Sequence, residues 1–177
     1  MSTQPKYTPP PGMSLSDWMK SRVATRATRS YDWNALKFQA DFDPKYRRAQ
    51  MRYVGTGATG VASDTNTIKA EHFTFSTMIL PIGAEGPLHL HEDAEEVFFV
   101  LRGRVKLIAE LNGESWEMEV SDRDLVSWPV GIYRGVVNIG DEEALICVIV
   151  GSTQPEMPSY PSSHPLSQVK RTPITVG

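Results

Sequence analysis

The stretch Gly83-Ala-Glu-Gly-Pro-Leu-His89-Leu-His91-Glu-Asp-Ala-Glu-Glu96-Val-Phe-Phe-Val-Leu-Arg-Gly103 decides how this chain is read. His89 and His91 stand two apart on an extended segment, so both imidazoles leave the backbone on one face. Glu96 opens an apolar run, where a carboxylate facing a packed interior is costly without a partner. Two imidazoles and one carboxylate converging on a point form the donor set of a divalent metal site. The competing reading is a solvated acidic loop, since Glu92, Asp93 and Glu95 lie in the same stretch. The register of the histidines ahead of a buried strand favours the metal geometry.

Working outward, the periodicity from Thr67 to Gly151 is two. Phe73, Phe75, Thr77 and Ile79 alternate with His72, Thr74, Ser76 and Met78, and Val105, Leu107, Ala109 and Leu111 with Lys106, Ile108 and Glu110. Trp116, Met118 and Val120 alternate with Glu117, Glu119 and Ser121. Turn residues separate these runs, and Asn112-Gly113 is the type I′ hairpin signature. Glu96–Leu101 and Ala144–Val150 are almost continuously apolar, as strands covered on both faces are. Short strands at about ten-residue spacing, punctuated by Gly and Pro, predict an all-β sandwich or barrel.

The central stretch resembles the first motif of the cupin family, with Gly83, His89, His91, Glu96 and Gly103 at its five fixed positions. The resemblance covers about residues 67–151. It implies a double-stranded β-helix, the cupin jelly-roll barrel, with a metal bound inside one mouth through His89, His91 and Glu96. Fe(II) is the ion favoured, with Mn, Ni or Zn as alternatives. In the family's second motif, Pro129, Gly131 and Asn138 match, but Arg123 takes the glycine position and Arg134 stands where a fourth ligand, a histidine, belongs.

Arginine has no acceptor and stays protonated, so Arg134 cannot ligate a cation. Four arrangements are open. Arg134 grips a substrate carboxylate or enolate beside a three-ligand metal; it weakens the site by like-charge repulsion; it pairs with Glu96 or another carboxylate in a metal-free pocket; or it turns to solvent.

Three regions separate by composition. Residues 1–66 read as an N-terminal arm with a short amphipathic helix near 14–25, residues 67–151 as the barrel, and residues 152–177, with five prolines, as an extended tail. The net charge of −3 is the sum of a basic start and an acidic remainder: residues 1–52 hold ten Lys/Arg against four Asp/Glu. A positive arm docking on a negative barrel explains the split more simply than nucleic-acid binding, for which no recognition motif is present. A single cysteine, Cys147, excludes an internal disulfide framework and a multi-cysteine metal site, and it reads as a buried, inert thiol. Gly55-Thr-Gly57-Ala-Thr-Gly60 matches the dinucleotide fingerprint, but no βαβ unit surrounds it, so it reads as a turn. His72 is expected to be a structural histidine of the interior, and His164 a tail residue.

Phe73, Phe75, Met78, Phe98, Val100, Trp128 and Val136 are the candidates to line a pocket, although alternation does not say which face is inward. The functional expectation is a metal-dependent cupin enzyme, an oxygenase on a small anionic, carboxylated or enolisable substrate, with Arg134 orienting the anion and Tyr133 donating a proton. An isomerase, decarboxylase or lyase of the same fold is the first alternative, and a non-enzymatic small-molecule-binding or sensing cupin the second. The expected setting is cytoplasmic, since no export signal or membrane span is seen, with no membrane partner and a homodimer implied by the resemblance.

Overall fold

A computed structural model describes residues 9–171 and the backbone of Ile174–Val176. The first eight residues of the expected irregular lead, and part of the tail's end, lie outside the described residues. Two antiparallel sheets dominate. One runs in the order β1 (Ala49–Val54), β3 (Thr74–Leu80), β10 (Ala144–Val150), β5 (Glu96–Arg102), β8 (Leu125–Trp128). The other runs β4 (Glu85–His89), β9 (Tyr133–Asn138), β6 (Val105–Leu111), β7 (Glu114–Val120). A small parallel pair joins β2 (Val61–Asp64) to β11 (Ile174–Val176). This is the all-β jelly roll expected. Among the described residues no helix is long and apolar enough to cross a membrane.

The core lies between the two large sheets. Leu80, Ala144, Ile146 and Val100 from one meet Val105, Leu107, Val120 and Val136 from the other. Turn chemistry places the strands. Asn112 and Gly113, between β6 and β7, have φ of 52° and 83°, the paired positive values a type I′ hairpin demands. Gly103 has φ +98°, and a Cβ there would lie 2.9 Å from Ala144 Cα, so this position admits only glycine.

On β3 the inward residues are Thr74, Ser76, Met78 and Leu80. Phe73 is exposed, and Phe75 packs edge-on against Tyr53 with ring centroids 5.7 Å apart. His72 is exposed rather than interior, because the chain bends at residues 71 and 72 and the strand begins only at Thr74. Cys147 is half-buried, on the face of β10 opposite Ile146 and Val148, and burial raises its pKa.

The segment ahead of the barrel differs from a simple arm. Its helix α1 is short, Leu15–Lys20, started by Ser14, whose hydroxyl accepts from the Asp17 N–H. A second helix, α2, spans Lys37–Phe42. The segment then supplies β1, which pairs with β3 along its length. The polar Gln50 and Arg52 of β1 are buried, which hides the strand from hydrophobic periodicity. Ser76 Oγ donates to Gln50 Oε1 at 2.7 Å, and Arg52 is held by Asp32 at 3.0 Å and Asp64 at 2.7 Å. Lys45 meets Glu85 at 3.1 Å and Arg22 meets Glu71 at 2.9 Å, so basic residues of the segment contact acids of the chain's own barrel.

The tail folds back. Leu90 and Ser159 exchange backbone hydrogen bonds of 2.9 Å, and Tyr160 and Leu166 pack with Tyr46 in a second apolar cluster. His164 belongs to it, its Nε2 3.2 Å from the Tyr46 hydroxyl.

Candidate metal centre

Three elements bring the predicted ligands together. His89 ends β4, His91 lies two residues beyond it, and Glu96 opens β5 in the opposite sheet. Their ligand atoms all lie within 4.8 Å of one another. His89 Nε2 is 4.0 Å from Glu96 Oε2, and His91 Nε2 is 3.9 Å from Glu96 Oε1, too long for hydrogen bonds. The two imidazole rings meet edge to face, 5.5 Å between centroids.

The second motif holds this cluster in place. The Gly131 N–H donates to the His91 carbonyl at 3.0 Å, and Gly131 has φ +79°, a backbone state that favours glycine. Asn138 Nδ2 donates to the carbonyls of Leu80, Pro81 and Glu142 at 2.9, 3.1 and 2.8 Å, fixing the turn that leads into β4. His89 Nδ1 sits 2.7 Å from the Pro87 carbonyl, which requires the proton on Nδ1 and leaves Nε2 as a bare lone pair.

Electrostatics suit a cation-binding pair of histidines. Burial lowers the pKa of His89 well below its ordinary value, and the neighbouring His91 and Arg134 lower it further. Burial also lowers that of His91, against the opposing pull of Glu96. Both imidazoles are therefore neutral at neutral pH, as metal ligation requires. His91 Nδ1 is buried and has no hydrogen-bond partner among the described residues. Two neutral imidazole nitrogens and a carboxylate oxygen fit a borderline divalent ion.

Arg134 is fully buried on β9, paired in register with His89. Its Nε donates to Glu96 Oε2 at 2.8 Å and its Nη1 to the Ile132 carbonyl at 3.4 Å. It stands behind Glu96, and the adjoining cavity does not reach it. Tyr133 precedes it on the strand, so its side chain leaves on the other face, also off the cavity wall.

The cavity spans about 580 Å³, its open mouth included. His89, His91 and Glu96 line it together with Met78, Phe98 and Val136 from the predicted set, whereas Val100 and Trp128 are core residues. Among the wall residues not anticipated are Arg48 and Gln50, which fall in the stretch read as a basic N-terminal arm. The one usable signal was their spacing of two, which in extended backbone puts both side chains on one face.

Residues 76–150 match the cupin domain family. No curated protein matches the chain. Among solved structures it is similar to Peruvianin-I, a cysteine peptidase from Thevetia peruviana latex, at 12% identity and a TM-score of 0.60, covering 86% of each chain. It is similar to a recombinant oxalate oxidase in complex with glycolate at 19% identity and a TM-score of 0.51, covering 64% of this chain and 54% of that one. For KdgF from Halomonas sp. the values are 15% and 0.50, covering 72% of this chain and 91% of that one. The alignments span about half the length of the oxalate oxidase chains, at 44%, 54% and 52%. At these identities the likeness is one of fold.

Proposed function

Residues 76–150 are a cupin domain, and from that premise we propose that the chain is a metal-dependent enzyme, most concretely an oxygenase, acting on a small anionic organic substrate. The observation that carries this reading is the convergence of His89, His91 and Glu96 on one wall of a cavity that also presents a buried guanidinium and apolar side chains. His89, His91 and Glu96 would hold the ion, Fe(II) being favoured over Mn, Ni or Zn for oxygen chemistry. When bound, such an ion supplies Lewis acidity and, if redox-active, electrons for O₂.

The chain's own residues do the rest. The Pro87 carbonyl fixes the His89 tautomer. Arg134 engages one oxygen of Glu96 and thereby orients the other toward His91. Met78, Phe98 and Val136 keep the cavity apolar around an organic body. Arg134 in this reading is a positioning residue, and Tyr133, off the cavity wall, has no assigned step.

Metal analysis of the anaerobically purified protein tests the reading. About one iron per chain with O₂ uptake on a panel of small organic acids is expected, and His89→Ala loses the metal. Unchanged metal content in His89→Ala would sink the site. A redox-inert ion with no O₂ uptake selects an isomerase, decarboxylase or lyase instead.

A second reading has its own observation. Arg134 already neutralises Glu96 at 2.8 Å, which suits a metal-free cupin that binds an anion. Thermal stabilisation by carboxylic acids, in protein that takes up no metal, selects it.

A further inference from the structure

Three arginines are buried among the described residues, and they are not alike. Arg52 is held by Asp32 and Asp64, and Arg134 by Glu96. Arg48, 6% exposed, has no carboxylate partner among the described residues. Its one hydrogen bond there is from Nη1 to the Tyr46 carbonyl at 3.2 Å. It lies immediately ahead of β1, outside the cupin match, and reaches the cavity wall. Two residues on, Gln50 lines the same wall; its Oε1 accepts from Ser76, which leaves the Nε2 donors for the cavity.

A buried guanidinium without a counter-ion is among the costliest arrangements in a folded protein, and the cost is tolerated where a ligand supplies the charge. Burial lowers its pKa to about 10, so it stays cationic at neutral pH. Around the cavity, the buried guanidinium groups of Arg48 and Arg134 outnumber the single carboxylate of Glu96, which Arg134 already engages.

We propose that Arg48, assisted by Gln50, is the anion receptor of this cavity. It takes the carboxylate of a small organic acid through its free guanidinium nitrogens, as planar fork-to-carboxylate pairing favours. Selectivity is thereby set by the segment ahead of the cupin match, not by the motif residues. The inference rests on the cavity being the ligand site of the proposed function, and it names the group that recognises the ligand's charge.

The test is calorimetric titration of the full-length protein, as purified and after chelator treatment. The probes are acetate, malonate and benzoate, with acetamide, malonamide and benzamide as uncharged counterparts. At least one acid is expected to bind while its amide does not, and Arg48→Met is expected to lose about tenfold or more in affinity. Arg48→Lys, which keeps the charge without the fork, restores part of it.

Ligand-free Arg48→Met is expected to melt at or above the wild-type temperature, because an unpaired buried charge is gone. A purely structural arginine would give the opposite, so a variant that melts well below wild type or fails to fold overturns the proposal. So does wild-type affinity in Arg48→Met, a Lys variant no better than the Met one, or a wild type that binds none of the acids. Metal content of the same preparations reads the parent proposal separately. Metal-free protein that binds acid through Arg48 sinks the metal enzyme and keeps the receptor; metal-loaded protein indifferent to Arg48→Met does the reverse.

Discussion

Where β10 begins, Ala144 faces Leu80, and Val105, Leu107, Val120 and Ile146 complete an apolar interior in which the buried Asn138 donates to three carbonyls. Where β10 ends, Val150 stands beside Thr74 and Glu96, and the interior takes in His89, His91 and Arg134. The pairing register records the gradient: inward residues read Leu80, Met78, Ser76, Thr74 along β3 and Val100, Phe98, Glu96 along β5. One end is stabilised by burying apolar surface, so its side chains are interchangeable within limits of volume. The other holds charges that stand only as a set, and a loss there is not replaced by packing.

The largest effect that would separate the ends comes from Glu96. In metal-free protein Glu96→Ala leaves Arg134, at 0% exposure, without its partner, and a loss of about 3–5 kcal/mol in unfolding free energy is expected. Replacing both residues, as Glu96→Leu with Arg134→Met, should recover most of that loss while leaving the metal site destroyed. Urea unfolding of the single and double variants measures the coupling. A single variant within about 1 kcal/mol of wild type would mean the charges at this end are solvated, and the contrast with the apolar end would fail.

A smaller separation comes from pH. His89 and His91 are buried with depressed pKa values, so the unfolded chain binds more protons than the folded one as pH falls below the ordinary histidine value of about 6.5. Stability of metal-stripped protein should be level in this respect above that value and decline below it. Each histidine adds a slope of up to roughly 1.4 kcal/mol per pH unit. Urea midpoints between pH 7.5 and 5.5 should fall less steeply for His89→Gln and for His91→Gln than for wild type. Equal slopes in all three proteins would show that the imidazoles are not desolvated.

The same gradient decides what was legible in the sequence. At the apolar end, alternation and turn chemistry carried the reading: Asn112-Gly113 takes up the backbone expected, and Val105 and Leu107 are core. At the polar end, motif spacing located His89, His91 and Glu96, but periodicity could not place β1, because Gln50 and Arg52 are buried by partners distant in sequence. The face of β3 was equally hidden, since Phe75 and Ile79 look more like core than Thr74 and Ser76, yet the polar pair faces inward. Arg48 was invisible for the same reason. Its burial follows from tertiary pairing of a segment that reads as a basic surface.

The smallest predicted effect lies at the apolar end, in a departure from the family pattern that has a backbone meaning. Arg123 occupies the second motif's glycine position with φ 71°, and its N–H donates to the Val100 carbonyl at 2.8 Å. The turn is therefore held in the left-handed region by a residue that pays roughly 1–2 kcal/mol for it. Glycine removes that strain but returns part of the gain as chain entropy in the unfolded state. Arg123→Gly is accordingly expected to raise stability by about 0.5–1 kcal/mol, a shift of roughly 1–4 °C in melting temperature for a chain of this size. Because the turn is anchored to Val100, and the side chain is exposed, metal content and acid affinity should not move. A gain in stability together with a change at the metal site would show that the two ends are mechanically coupled. An unchanged melting temperature would mean that the exposed arginine offsets its backbone strain by contacts of its own.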